Sequence, residues 1–193
     1  MHIAEGESET GLRIGGLPPA GVQPPEVNER TLYFGSFPIS GRSELELSIF
    51  TSFHYLDYKH PDFFTYHTKK PLGADSRVLQ CVFHEPAARA SHSDIVSELQ
   101  PYRVTHERER KGKAAAGSGV PHMIGGSPFY YPAVGMEESK ALLRSGYLHF
   151  LQWNYPTGGW DCRVKGGWPF PNLRLNLYLK PVGESYEYQG LLV

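Results

Sequence analysis

The sequence is poor in cysteine, lacks a long hydrophobic run, and has no strong excess of charge of either sign. Only Cys81 and Cys162 occur among 193 residues, which excludes a framework of several disulfides and predicts two free thiols in a reducing compartment. No run of about 18 uncharged apolar residues occurs, so a membrane-spanning helix is not expected. The first residues include Glu5, Glu7 and Glu9 and lack the basic and apolar parts of a signal peptide. We therefore expect a cytoplasmic protein with no membrane partner.

An excess of positive or negative charge is also missing. The chain has 19 Lys and Arg against 20 Asp and Glu, a net charge of −1 with histidine neutral. No part of the chain has the basic excess that a phosphate backbone requires. The composition therefore predicts that nucleic acid is not the partner.

Linear motifs of catalysis and cofactor binding are absent as well. None of the Gly-Gly pairs stands in a phosphate-binding frame, and no Gly-x-Ser-x-Gly or Cys-x-x-Cys occurs. Of the nine histidines, His54, His60 and His67 are nearest together, but their spacing does not suit a helical zinc pair. We expect no cofactor, no metal and no catalytic residues. One alternative stays open, a hydrolase or transferase whose acid-base residues come from scattered strands and leave no linear motif. Glu44 and Glu46, which share one strand face, could also act as general acid and base, although a solvated face is the other interpretation.

Alternating side chains indicate the fold class. Residues 44–50 and residues 173–179 alternate between apolar and polar side chains, which is typical of a strand with one face in water. The pattern predicts that their leucine and isoleucine side chains lie in the core, and that Glu46, Arg174 and Asn176 face water. With 21 Gly and 16 Pro in the chain, we predict a mainly β (α+β) fold with a few short helices.

The same order of signals occurs twice along the chain. Each time, an Ile-Gly-Gly-x-Pro segment precedes an apolar strand, and an alternating strand follows. The first set is residues 14–18, 32–38 and 44–50, and the second set is residues 124–128, 148–153 and 173–179. Agreement of three elements in order predicts an internal duplication, in which two related halves share one core.

These halves define the predicted organisation of the chain. We predict a single domain, residues 1–193, with halves at about 12–104 and 120–193 joined by a basic, Gly-rich linker at 105–119. The second half carries two insertions relative to the first. One is a helix at residues 137–145, which Gly146 ends, and the other is a Gly- and Trp-rich loop at residues 156–171.

The chain also resembles a known family, through residues 14–18 and 32–34 of the first half and through a longer stretch of the second half. A histidine, His122, precedes the Ile-Gly-Gly-x-Pro segment, and then come residues 147–152, a Trp- and Gly-rich stretch and the alternating strand. This arrangement resembles the YwqG-like family of uncharacterised bacterial proteins. The resemblance implies a mainly β fold with an internal repeat and brings no catalytic residues. Members of that family often look like immunity proteins encoded beside secreted bacterial toxins.

Aromatic residues suggest where a partner binds. Phe, Trp and Tyr make up 13% of the chain, and many lie outside the alternating strands, as interface anchors do. We predict an immunity or inhibitor protein that binds a cognate toxin domain through the loop insertion. The predicted contact residues are Tyr155, Trp160, Asp161, Arg163, Lys165 and Trp168. Two alternatives for these aromatics stay open: they cap the β core, or they line a carbohydrate-binding module.

Overall fold

The computed structural model of the protein describes eight segments of the chain. The segments are residues 2–5, 12–29, 31–52, 71–95, 102–105, 123–128, 135–154 and 174–192.

Within these segments the chain forms ten strands and one helix, so the predicted mainly β fold is confirmed. The strands are β1 (His2–Glu5), β2 (Arg13–Ile14), β3 (Leu32–Ile39), β4 (Arg42–Thr51), β5 (Leu79–His84), β6 (Tyr102–Thr105), β7 (Met123–Ile124), β8 (Leu148–Asn154), β9 (Arg174–Val182) and β10 (Ser185–Leu192), and the helix is α1 (Met136–Arg144). They build a sheet in the order β1-β6-β2-β3-β4-β5 and a second sheet in the order β10-β9-β8-β7. Every described pairing of named strands is antiparallel. Thr105, the first residue of the predicted linker, pairs with His2 inside the first sheet, and the rest of that linker, residues 106–119, lies outside the described residues.

The two sheets share one hydrophobic core. Leu47 and Ile49 of β4 belong to the same buried cluster as Leu175 and Leu177 of β9. Across the same cluster, the ring of Phe34 meets the ring of Trp153 edge-on at 5.5 Å. Facing sheets that bury alternate residues against each other form a β-sandwich. The predicted burial of Leu47, Ile49, Leu175, Leu177 and Leu179 is confirmed, Leu45 is partly buried, and Leu173 lies outside the described residues.

The outer face of each sheet is covered too. Val22 and Ile95 pack on the outer face of the first sheet with Tyr33 and Phe50. On the second sheet, Leu142 of α1 packs against Tyr178 and Leu191. Both sheets are therefore buried on two sides in their centres.

This second layer overturns one prediction. Glu46 and Asn176 were expected in water, but they are 2% and 3% exposed. The alternation correctly places both residues on the outer faces, but it carries no information on what covers those faces. The side chain of Arg174 lies outside the described residues.

The helix forms where the sequence predicted it, one residue earlier at each end. Glu137 and Glu138 occupy its first turn, where the positive end of the helix dipole stabilises carboxylates. Gly146 follows it with φ 87°, a left-handed conformation that glycine adopts without strain. Leu142 is buried, whereas Leu143 is 38% exposed.

Strands β2–β5 (the first unit) and β7–β10 (the second unit) have the same pairing pattern. In the first unit the N–H of Gly15 donates to the carbonyl of Phe34 at 2.9 Å, and in the second the N–H of Gly125 donates to the carbonyl of Phe150 at 2.7 Å. In both units the register shifts at the phenylalanine that accepts this bond. Two residues further along, Ser36 pairs with Ser48 and Gln152 pairs with Asn176. The two units thus match residue by residue along their central strands.

The connections distinguish the two units. Residues 40–41 join β3 to β4 and residues 183–184 join β9 to β10, whereas β4 continues to β5 through 52–78 and β8 to β9 through 155–173. The predicted loop insertion therefore joins two strands. The first unit carries a long connection of its own, which no sequence pattern indicated.

Contacts across the sandwich show that the strand ends flanking the two long connections lie at one end. Phe83 stacks on Tyr186 at 5.4 Å near the two tight turns, while Tyr188 donates to the carbonyl of Leu79 at 3.4 Å nearer the other end. Because the tight turns lie together, the strand ends from which both long connections leave lie together at the opposite end.

Candidate functional site

A chain of hydrogen bonds crosses the outer face of the first sheet. The hydroxyls of Tyr33 and Ser36 lie 2.7 Å apart, and those of Ser36 and Ser48 also lie 2.7 Å apart. Ser48 then contacts Nε2 of His84 at 2.7 Å, and Nδ1 of His84 lies 2.6 Å from the carbonyl oxygen of Glu85. Alternation along β3, β4 and β5 places these side chains on one face.

The chemistry of its last member fixes the direction of this chain. The Glu85 carbonyl only accepts, so Nδ1 of His84 carries a proton, and in the neutral ring Nε2 is an acceptor. When the ring is neutral, Ser48 therefore donates to Nε2 of His84, Ser36 donates to Ser48, and Tyr33 donates to Ser36. All three hydroxyl groups therefore donate their hydrogen bonds in the same direction along the network.

Arg13 of β2 stands at the start of this series of hydrogen bonds. Its guanidinium is fully buried, donates to the carbonyl of Ala87 at 2.8 Å and hydrogen-bonds the side chain of Tyr33. One of its nitrogens also lies 3.6 Å from a carboxylate oxygen of Glu46. Burial raises the pKa of the Tyr33 hydroxyl, and the hydrogen bonds to Ser36 and Arg13 offset this only in part, so the hydroxyl keeps its proton at neutral pH.

The contact between Ser48 and His84 has the geometry of a nucleophile and its base. Ser48 is completely buried, and its hydroxyl already contacts Ser36 as well as His84. A substrate cannot reach this oxygen in the conformation described. The pair therefore acts here as a link in a structural network.

Sequence reasoning missed this network because its members are far apart in the chain. Ser48 and His84 are 36 residues apart, and no linear motif joins them. The signal that could have found them is the alternation itself, which puts Ser48 and His84 on the outer faces of two strands. Only the pairing of β4 with β5, in which Ser48 lies opposite Val82, brings them together.

The second unit carries polar residues at the matching positions of its outer face. His149 and Gln152 of β8 occupy the places of Tyr33 and Ser36 in β3. Asn176 of β9 occupies the place of Ser48. All three side chains of the second unit are buried, which makes this face a second candidate site.

The imidazole of His149 is held in one orientation. Its Nδ1 donates to the carbonyl of Gly125 at 3.2 Å, and its ring meets the ring of Tyr178 at 5.5 Å in a T-shaped contact. Tyr178 in turn hydrogen-bonds Ser139 of α1. Burial lowers the pKa of His149, an effect that its backbone hydrogen bonds offset only in part. The ring is therefore neutral at pH 7, with Nε2 as an acceptor.

The two faces differ in the pairing of the side chains at their matching positions. In the first unit, each hydroxyl from Tyr33 to Ser48 has a partner. In the second, Nε2 of His149 and Oδ1 of Asn176 are buried and find no hydrogen-bond partner in the described part of the chain.

The six contact residues predicted from the sequence lie outside the described residues. They are Tyr155, Trp160, Asp161, Arg163, Lys165 and Trp168. The strand ends on either side are described: Asn154 and Arg174 are register partners in β8 and β9. The chain between them therefore leaves and re-enters the second sheet at one point.

Metal-binding and membrane-spanning features are both missing from the eight described segments. Among their residues, no three His, Cys, Asp or Glu side chains are grouped so that they could hold a metal ion. The histidines considered from the sequence, His54, His60 and His67, lie outside those segments. The helix within the described segments is too short to cross a membrane.

Comparisons of the chain with family profiles, with curated proteins and with solved structures found no match.

Proposed function

We propose that the protein is a non-catalytic binding protein, an immunity or inhibitor protein that neutralises a cognate secreted bacterial toxin by direct contact. The partner is a protein domain, and no nucleic acid, membrane or cofactor takes part. The contact residues are those of the connection between β8 and β9: Tyr155, Trp160, Asp161, Arg163, Lys165 and Trp168.

The placement of this connection is the observation that carries the proposal. The strands that it joins are central in the second unit and buried on both faces, with Trp153 on the inner face 1% exposed and Asn176 on the outer face 3% exposed. Long connections between rigid strands are common sites of binding. In the first unit the matching strands β3 and β4 are joined by the tight turn at 40–41. The scaffold closes without this connection, so its length calls for another role.

The Ser48–His84 pair supports binding over catalysis. It has the chemical form of a nucleophile and base, yet Ser48 is fully buried and saturated by its neighbours. A serine-directed fluorophosphonate probe is expected to leave the folded protein unlabelled. Labelling of Ser48 at neutral pH would favour the hydrolase alternative.

The partner experiment uses matched tryptophan variants. The protein is purified from its native host, a stoichiometric co-eluting protein is identified, and its affinity is measured by calorimetry for wild type, Trp160→Ala and Trp168→Ala. Loss of one tryptophan hot spot costs about 2–4 kcal/mol, or roughly 30- to 1,000-fold in affinity. Val182→Ala is the control, because Val182 is 46% exposed beside the tight turn at the other end of the sandwich.

Two results would contradict the proposal. One is the absence of a co-eluting protein, and the other is wild-type affinity in both tryptophan variants. The melting temperature of each variant separates lost contact from lost stability. If the tryptophans instead cap the core, both variants melt earlier and bind as tightly as wild type below their melting temperatures.

We also propose that the two units arose by internal duplication. The shared Gly-Gly turn, the shared register shift and the matching polar positions Ser48 and Asn176 support a common origin. An experimental structure is expected to superpose β2–β5 on β7–β10 with Gly15 on Gly125. An offset of one residue would invert the faces and contradict the proposal.

A further inference from the structure

The outer face of the second unit contains two buried acceptors for which the described residues supply no donor. His149 is 7% exposed and Asn176 is 3% exposed, and among the described residues no donor reaches Nε2 of the first or Oδ1 of the second. A buried acceptor left unpaired costs about 1–3 kcal/mol. Most buried acceptors in folded proteins have a donor.

The two acceptors lie on neighbouring strands. His149 pairs with Tyr178, and Asn176 stands two residues before Tyr178 on the same face of β9. Diagonal neighbours of this kind have backbone positions roughly 7–8 Å apart. One small molecule placed between the side chains can therefore meet both.

The first unit provides an internal comparison. At the positions of His149 and Asn176 it carries Tyr33 and Ser48, whose hydroxyls are joined through Ser36. The two hydroxyls of the first unit are thus paired through a neighbouring side chain, whereas the two matching acceptors of the second unit have no donor among the described residues.

We propose that this face of the second unit is a binding site for a small neutral molecule, which donates hydroxyl or amide hydrogens to Nε2 of His149 and Oδ1 of Asn176. Neutrality follows from the surroundings, because the buried polar residues described in this unit are Ser139, His149, Gln152 and Asn176. None of these four residues supplies the counter-charge that a buried ion requires. The lowered pKa of His149 agrees with this, since the neutral ring keeps Nε2 as an acceptor.

This site is independent of the proposed protein partner. It rests on residues of β8 and β9, whereas the partner contacts were assigned to the connection between them. Loss of either activity leaves the other to be tested separately.

The test follows the nitrogen signals of His149 directly. Protein labelled with ¹⁵N-histidine is titrated with acetamide as the amide probe and with glycerol as the hydroxyl probe, while the imidazole resonances are recorded by NMR. A His149→Gln variant assigns the resonance. Saturable movement of the Nε2 resonance with one probe is expected, and the probe that acts identifies the donor group.

Matched variants decide whether the binding uses both acceptors. Asn176→Leu is expected to lower the affinity for the active probe about tenfold, which corresponds to the loss of a typical hydrogen bond. Ser48→Ala changes the matching position of the first unit and should leave the titration unchanged. If the leucine variant does not fold, Asn176→Val takes its place, because valine suits a strand.

Two outcomes overturn the proposal. One is an Nε2 resonance that neither probe moves in a saturable way, which would mean that the site holds an ordered water only. The other is an unchanged affinity in the Asn176 variant.

Discussion

Arg13 and Glu46 form an ion pair within the protein, 3.6 Å apart and with 0% and 2% of their side chains exposed. Removing one member leaves the other charge buried without its counter-charge, which typically costs about 3–5 kcal/mol. We expect Glu46→Leu and Arg13→Met each to lower the free energy of unfolding by about that amount. The double variant should lose much less than the sum, because it removes both charges together. Urea unfolding of the four proteins measures this coupling, and additive losses would contradict it.

Gly35 of the first sheet has no room for a larger side chain. A Cβ at this position would lie 2.6 Å from the carbonyl oxygen of Arg13 and 3.3 Å from the Cα of Ile14. Both are backbone atoms of the paired strand β2, so neither can rotate away. We expect Gly35→Ala to cost about 1–3 kcal/mol of stability, as overpacking does.

The control for Gly35 is Gly190. There an added Cβ would meet first a terminal methyl group of Leu79, which can change rotamer. Urea unfolding should show a larger loss for Gly35→Ala than for Gly190→Ala. The reverse order would mean that β2 moves more easily than a buried leucine.

The sequence predicts the strands well because burial against one core imposes a period of two. Leu47, Ile49, Leu175 and Leu177 follow that period and lie where it places them. Asn176 follows it too, but its predicted exposure is wrong. Period and polarity tell which face a residue occupies, and the second layer that covers the face comes from distant segments.

The candidate sites were harder to predict for the same reason. The chain of bonds from Tyr33 to His84 needs the register of three strands, and no local pattern specifies it. Likewise, nothing in the sequence around Asn176 indicates that its side-chain oxygen is buried with no donor in the described part of the chain. These properties arise from pairing over long separations, which a single sequence does not report.

The reactivity of the Cys81 thiol measures how completely the core is buried. Its side chain belongs to the cluster between the sheets, and burial raises the pKa of the thiol far above its usual range. Because the thiolate is the reactive form, we expect no reaction with a thiol reagent at pH 8 in the native state. The measurement uses a Cys162→Ser protein, in which Cys81 is the one remaining thiol. Full reaction in urea is the control, and rapid labelling without urea would contradict the burial.

His149 makes stability depend on pH below neutrality. Its pKa is about 6.5 in the unfolded chain and is lowered by burial in the folded protein. Above pH 6.5 both states are neutral at this residue, so it contributes no pH dependence. Below pH 6.5 the unfolded chain takes up a proton that the folded protein does not, so the free energy of unfolding falls as the pH falls.

The slope from this residue is at most about 1.4 kcal/mol per pH unit, and it ends where the folded imidazole itself becomes protonated. His149→Gln removes the titrating group and keeps a polar side chain of similar length. We expect urea unfolding at pH 7.5 and pH 5.5 to show a smaller loss of stability on acidification in the variant than in wild type, because the other histidines contribute equally to both. An equal loss in the two proteins would mean that the imidazole protonates as readily in the fold as in the unfolded chain.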